Sequence, residues 1–247
     1  MDVAIALTRQ LLEQARVDAG HGLDHALAVV AHVDKALICT QHRLTKDERL
    51  AIRLAALLHD VDDGKFFTTT NNANARAICA TAALPLLELV MQMIDLVSCS
   101  KNGNRPASPE WLLYPRWADR LEAIGKIGIR RCHEYTLHVG RPLMLPSTRL
   151  PADRAELEQI ASPRRFVDYV ASGGAVGSSS FIDHFYDKLL HIARFDTTNA
   201  YFVRKAKQRH ETMVKFILQV DPSNLADQLS RMHANVDGGP GGQPETG

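Results

Sequence analysis

One stretch constrains this chain more than any other: "TKDERLAIRLAALLHDVDDGKFF", Thr45 to Phe67. It opens like a helix, because Thr45 followed three residues later by Glu48 is the capping-box pattern, and Asp47 and Glu48 in the first turn suit the helix dipole. From Leu54 to Leu58 it turns wholly apolar, so it must be covered by other elements of the fold. It then meets His59, Asp60, Asp62 and Asp63, with Gly64 placed to stop or bend the chain. Ionisable groups at the inner end of a buried helix cost free energy unless something partners them.

The covering elements read as helices too. Leu11, Leu12, Ala15 and Val17 suggest a first helix, and Ala26, Val29, Val30, Val33 and Leu37 recur at three- and four-residue steps. The segment from Thr68 to Ser100 reads as a helix, a break at Pro85 and another long helix. "WLLYPRWADRLEAIGKIGIRRCHEY" reads as one helix carrying Asp119 and Arg120. Residues 138–180, rich in Gly and Pro, read as a long loop around a short helix near Asp153 to Ala161. "FIDHFYDKLLHIA" and "TNAYFVRKAKQRHETMVKFILQV" supply two more amphipathic helices. With no alternating strand runs and no repeats, the fold class is all-α. Residues 1–220 form the domain, with a loop-rich insertion at 138–180. Residues 221–247 are a C-terminal extension whose Gly/Pro-rich tail "VDGGPGGQPETG" is expected to be disordered.

A formal net charge of +1 gives no field for nucleic acid or an anionic membrane, and neither is expected as a partner. The paired basic residues, such as Arg130-Arg131, read as solvated faces. Cys39, Cys79, Cys99 and Cys132 are scattered, which favours reduced thiols and a cytoplasmic protein. The N-terminus has the charge pattern of no signal peptide, and Ala82 to Val97 is interrupted by Pro85, Glu88 and Asp95. A homodimer stays open.

Three segments carry the chemistry: "HGLDH" with His21, Asp24 and His25, "HDVDD" with His59 and Asp60, and "WADRLEAIG" with Asp119. Histidine and aspartate donors from three helices can surround one ion. Two imidazoles and two carboxylates suit Mn, Fe, Co, Ni or Mg better than a closed structural zinc site. A lone helical histidine is more often a satisfied core residue, so the spacing by itself leaves both readings open.

The chain resembles the HD-domain phosphohydrolases, an all-α helical bundle superfamily named for its His-Asp doublet. The likeness is strongest to small bacterial and viral members. It runs in order through His21–His25, Ala55–Phe66, "VSCSKNG", Trp117–Arg131, Ser180–Leu190 and Ala206–Met213, over roughly residues 15 to 220. The resemblance implies one divalent metal (Mn, Ni, Fe or Co, with Mg possible) held by His25, His59, Asp60 and Asp119. It also implies hydrolysis of a phosphate ester or anhydride. A nucleotide is the leading substrate class, cut from nucleoside triphosphate to monophosphate and pyrophosphate. The alternatives are a nucleotide phosphatase or phosphodiesterase and a catalytically idle nucleotide-binding module. A di-metal enzyme would need histidine ligands between Asp60 and Asp119, and that segment has none.

Asp63, four residues after His59, would share its face if the helix continued, and is the expected general base; Asp62 would face away. His21, four residues before His25, is expected to donate to a phosphate or orient a ligand. Lys65, Lys101 and Arg120 are the expected phosphate-binding cations, with Lys188 and Arg209 either closing the pocket or pairing structurally. His133 and His138 are expected in surface or loop positions. Two departures stand out: Trp117 replaces an acid, which removes a carboxylate from beside the metal, and Ala28 replaces a common Arg. The 138–180 segment matches least, so substrate choice is expected to reside there.

Overall fold

A computed structural model describes residues 1–17, 21–173 and 178–237. It is helical throughout, with no strand among the described residues. The order is α1 (Asp2–Gln14), α2 (Leu23–Ile38), α3 (Lys46–Leu58), α4 (Ala73–Ala83), α5 (Leu87–Val97), α6 (Cys99–Asn102), α7 (Tyr114–Glu122) and α8 (Gly125–His138). Then come α9 (Arg154–Ile160), α10 (Pro163–Ala171), α11 (Phe181–His184), α12 (Leu190–Ile192), α13 (Ala200–Leu218) and α14 (Leu225–Asp237).

The centre is α3, packed against α2, α5 and α7. Its capping box forms as expected: the Glu48 amide donates to Thr45 Oγ1 at 3.1 Å, and the Thr45 amide donates to Glu48 Oε2 at 2.7 Å. Ala51, Ile52 and Leu54 to Leu58 are all buried. The helix ends at Leu58, and His59 begins a turn in which the Asp63 amide donates to the Asp60 carbonyl at 3.0 Å. The expectation that helical geometry carries Asp63 onto the face of His59 is therefore corrected; a tight turn sets its position.

Three further expectations change. The helix read from Trp111 to Tyr135 is two helices, α7 and α8, hinged at Ala123–Gly125. Gly125 sits at φ +71, and a Cβ there would meet the Arg209 Cβ at 2.9 Å, so glycine lets α13 approach the hinge. The described residues of 138–180 hold a second helix, α10, as well as the expected short one, α9. Pro163, which reads as a breaker, occupies the first turn of α10, where a missing amide costs nothing. The third is "FIDHFYDKLLHIA", which contains a π-helical turn at Phe185–Leu189 between α11 and α12.

Beyond residue 220, Leu225 and Leu229 of α14 enter the same apolar core as the rest of the chain. The tail from residue 238 lies outside the described residues. Ala73–Val97 is long and apolar enough by length and composition to cross a membrane. Here a 3₁₀ turn at Leu84–Leu86 divides it at Pro85, and Val90, Met91, Met93, Ile94 and Val97 enter the core.

Candidate active site

The site forms where α2, the end of α3 and α7 meet. His25 is on the first turns of α2, His59 and Asp60 follow the last turn of α3, and Asp119 lies in the middle of α7. His25 Nε2 is 3.6 Å from Asp60 Oδ2 and 3.5 Å from Asp119 Oδ1. His59 Nε2 is 3.4 Å and 3.5 Å from the same two oxygens. These separations are long for hydrogen bonds, and both Nε2 atoms are buried with no hydrogen-bond partner. They are about the spacing of neighbouring donors that each lie about 2.1 Å from one shared ion.

The rest of the donor set agrees. The free ring nitrogen of His59, Nδ1, lies 2.9 Å from the Ala56 carbonyl, a bond that places the proton on Nδ1 and leaves the Nε2 lone pair for the cluster. Arg131 Nη1 approaches His25 Nδ1 at 3.4 Å, too far to set that ring's tautomer. Burial alone would depress the His59 pKa, yet Asp60 and Asp119 together raise it well above the usual imidazole range. Burial likewise works to raise Asp60, but His59 brings it down to about 2. Burial opposes ionisation of Asp119, but the adjacent imidazoles of His25 and His59 hold it well below the ordinary carboxylate range. Two ionised carboxylates against two imidazoles make a pocket that favours a cation at its centre. The residues fit a single divalent ion; His25, His59 and Asp60 also place their donor atoms within 4.8 Å of one another.

His59, Asp60 and Asp119 form part of the lining of a cleft of about 610 Å³. Asp63, Lys65, Lys101 and His21 line it as well. Asp63 Oδ1 accepts the Lys65 amide at 2.9 Å, and its other oxygen lies 3.6 Å from Lys65 Nζ. His21 Nε2 is 3.3 Å from the same ammonium, and its ring lies against Phe66. These three therefore form one group, and Lys101 reaches the cleft from α6.

Asp62 is structural. It accepts from Thr69 Oγ1 at 2.6 Å and from the Asn74 and Ala75 amides at 3.0 and 2.9 Å. It thereby fixes the 59–72 connection to the start of α4. Asp24 is exposed on α2.

Arg120 departs from expectation. It is buried away from the cleft, where Nη1 donates to Asn104 Oδ1 at 2.7 Å and Nη2 donates to the Gly103 carbonyl. Its place on α7 beside Asp119 points it to the opposite side, where it clamps the 103–104 turn. Arg209 is structural as well, donating to the Leu121 carbonyl and, at 3.0 Å, to Glu122 Oε1.

Trp117 packs on Tyr114, Phe195 and Phe202. Two residues before Asp119 on a helix, it faces nearly the reverse direction. The departure from an acid there changes the aromatic core rather than the metal's surroundings. His133 is buried against Phe181, where a surface position was expected.

Several cleft residues went unassigned from sequence. Arg131, read as part of a solvated pair, lines the cleft and donates to the Glu122 carbonyl at 3.1 Å. Arg141, Tyr169 and His184 line it also. Lys188, expected either to close the pocket or to pair structurally, lines the cleft, and His184 had a usable signal, lying four residues before it inside a motif-matching segment. Arg141, in a Gly/Pro-rich stretch, had none.

No protein-family model matches the chain. It is 37% identical over 218 residues to the uncharacterized protein L803 of Acanthamoeba polyphaga mimivirus, covering 81% of this chain and 88% of that protein. A crystal structure of an HD-superfamily hydrolase from Bacillus thuringiensis matches at TM-score 0.55 and 25% identity, over 87% of this chain and 92% of that one. A Lactobacillus plantarum protein matches at TM-score 0.61 and 22% identity, over 95% and 96% of the two chains. Bacillus subtilis YpgQ, solved in complex with ADP, matches at 0.56 and 21%, over 88% and 94%. Given the doublet motif in its ordered context and a donor set built for one cation, the chain belongs, in one family with L803, to the HD-domain superfamily of metal-dependent phosphohydrolases.

Proposed function

We propose that this protein hydrolyses a nucleoside triphosphate to the monophosphate and pyrophosphate, with one divalent transition metal, manganese being the first candidate. The observation that carries the reading is the pair of partnerless buried Nε2 atoms facing two ionised carboxylates in a cleft that also contains lysine and arginine side chains. A fold relative that holds ADP supports a nucleotide as the occupant.

His25, His59, Asp60 and Asp119 hold the ion. A bound divalent ion supplies Lewis-acid polarisation of a phosphoryl oxygen and lowers the pKa of water. The chain's own part is positioning and proton transfer. Asp63 accepts the proton of the attacking water at a carboxylate oxygen, released for this by Lys65 turning its ammonium to the substrate. Lys65, Lys101 and His21 meet the phosphate charge. Four free cysteines fit a reducing, cytoplasmic setting.

The test is a panel of nucleoside mono-, di- and triphosphates with added Mn²⁺ or Ni²⁺, with products resolved by chromatography. Pyrophosphate released in one step from triphosphates supports the reading. Stepwise release of phosphate makes the protein a phosphatase instead, and no turnover of any nucleotide with metal bound makes it a binding module.

A further inference from the structure

The cleft has a second cationic wall that the reaction above does not use. Arg141 follows the end of α8, Lys188 lies in the π-helical turn, and both line the cleft with Tyr169, Ser178 and His184. Neither cation forms an ion pair with a carboxylate among the described residues. The Lys188 ammonium lies 5.8 Å from the centre of the Tyr169 ring, and burial, which disfavours its charge, is opposed by Tyr169, Cys99 and, as the one carboxylate, Asp119. That carboxylate belongs to the metal donor set.

The neighbouring groups offer no counter-charge. His184 shares a 3.0 Å hydrogen bond with Ser178 Oγ, and burial, with the charges of Lys188 and Arg141, holds its imidazole well below the usual range. Burial likewise pushes the Cys132 thiol up to about 12, so no thiolate forms. Two positive charges on a partly enclosed wall, with a neutral imidazole and a hydroxyl between them, call for an anion with several oxygens. His184 and Lys188, four residues apart, share one helix face and both reach the cleft, while Phe185 is buried.

We propose that Lys188 and Arg141 seat the phosphates beyond the one attacked at the donor cluster, so that the substrate must carry an oligophosphate chain. This rests on the triphosphate reading above and deepens it: the wall would hold the part of the substrate that leaves as pyrophosphate.

The experiment is calorimetric binding of inorganic tripolyphosphate, and separately of inorganic phosphate, to the metal-loaded protein. Wild type is compared with Lys188→Gln, Arg141→Gln and Lys188→Arg, with thermal melts run on each. Each Gln variant should weaken tripolyphosphate about tenfold or more, the loss of a charge-assisted contact. Inorganic phosphate should change far less, and Lys188→Arg should recover most of the affinity. A structural role would instead weaken both anions alike and lower the melting temperature. Tripolyphosphate affinity unchanged in both Gln variants, or equal losses for both anions, overturns the proposal. Because the readout is binding, a protein that hydrolyses no nucleotide yet loses tripolyphosphate in these variants would sink the reaction above and leave this seat standing.

Discussion

Two histidine–carboxylate clusters share the same pair of helices. His25 and His32 lie two turns apart on α2, and Asp119 and Glu122 one turn apart on α7. One cluster is closed. His32 Nδ1 lies 2.5 Å from the Tyr201 hydroxyl and Nε2 2.8 Å from Glu122 Oε1, and Arg209 donates to the same oxygen at 3.0 Å. Every charge there has its partner. The other cluster is open: two imidazole nitrogens face two carboxylates at 3.4–3.6 Å with no bond made. A closed cluster rigidifies a helix pair, whereas an open one is a demand for an ion. Residue type alone does not separate them; satisfaction of the last lone pairs does.

The largest effect should come from the open cluster. His59→Ala removes a donor, and metal-dependent turnover should drop about a thousandfold or more, corresponding to several kcal/mol of Lewis-acid stabilisation. Steady-state rates with added Mn²⁺ check this.

Next, Glu122→Ala breaks the closed cluster and leaves Arg209 without its carboxylate. It should cost about 3 kcal/mol in urea unfolding while metal stoichiometry stays unchanged. Its pH dependence has a definite sign. Burial opposes ionisation of Glu122, but His32 and Arg209 bring its pKa from 4.5 to about 2. The stabilisation is complete above 4.5 and is lost as pH falls towards 2. Glu122→Gln should therefore flatten the acid limb of the stability curve, and an unchanged limb would count against the closed-cluster description.

Asp63→Asn comes third: metal retained, kcat down about a hundredfold. An unchanged kcat would leave Asp63 as the residue that caps the turn to Lys65. The smallest effect belongs to Thr45→Ala. Losing the α3 cap should cost about 1 kcal/mol in thermal unfolding and nothing in metal binding.

Much of this contrast was legible in the sequence on the open side. His25 and Asp119 sit on helices, and His59 and Asp60 just past the end of one, that the apolar periodicity locates, and the ordered motifs name them. The closed side was hidden because its members lie far apart: Tyr201 is 169 residues from His32, and Arg209 is 177. Local rules also misled in places. Pro163 reads as a breaker yet starts α10, and Gly125 hides a hinge inside a run with helical periodicity. Arg120 shows the limit of adjacency. One residue along a helix is a rotation of about 100°, enough to turn it from the cleft to the 103–104 turn. The segment that least resembled the family, 138–180, supplies Arg141 and Tyr169 to the cleft.

The central claim is that the open cluster holds one ion. Metal content per chain, measured by plasma mass spectrometry after Mn²⁺ loading and desalting, tests it most directly. The account predicts about one ion per wild-type or Glu122→Gln chain and almost none in His59→Ala or Asp60→Ala. Full occupancy in the His59 and Asp60 variants, or none in the wild type, would contradict it.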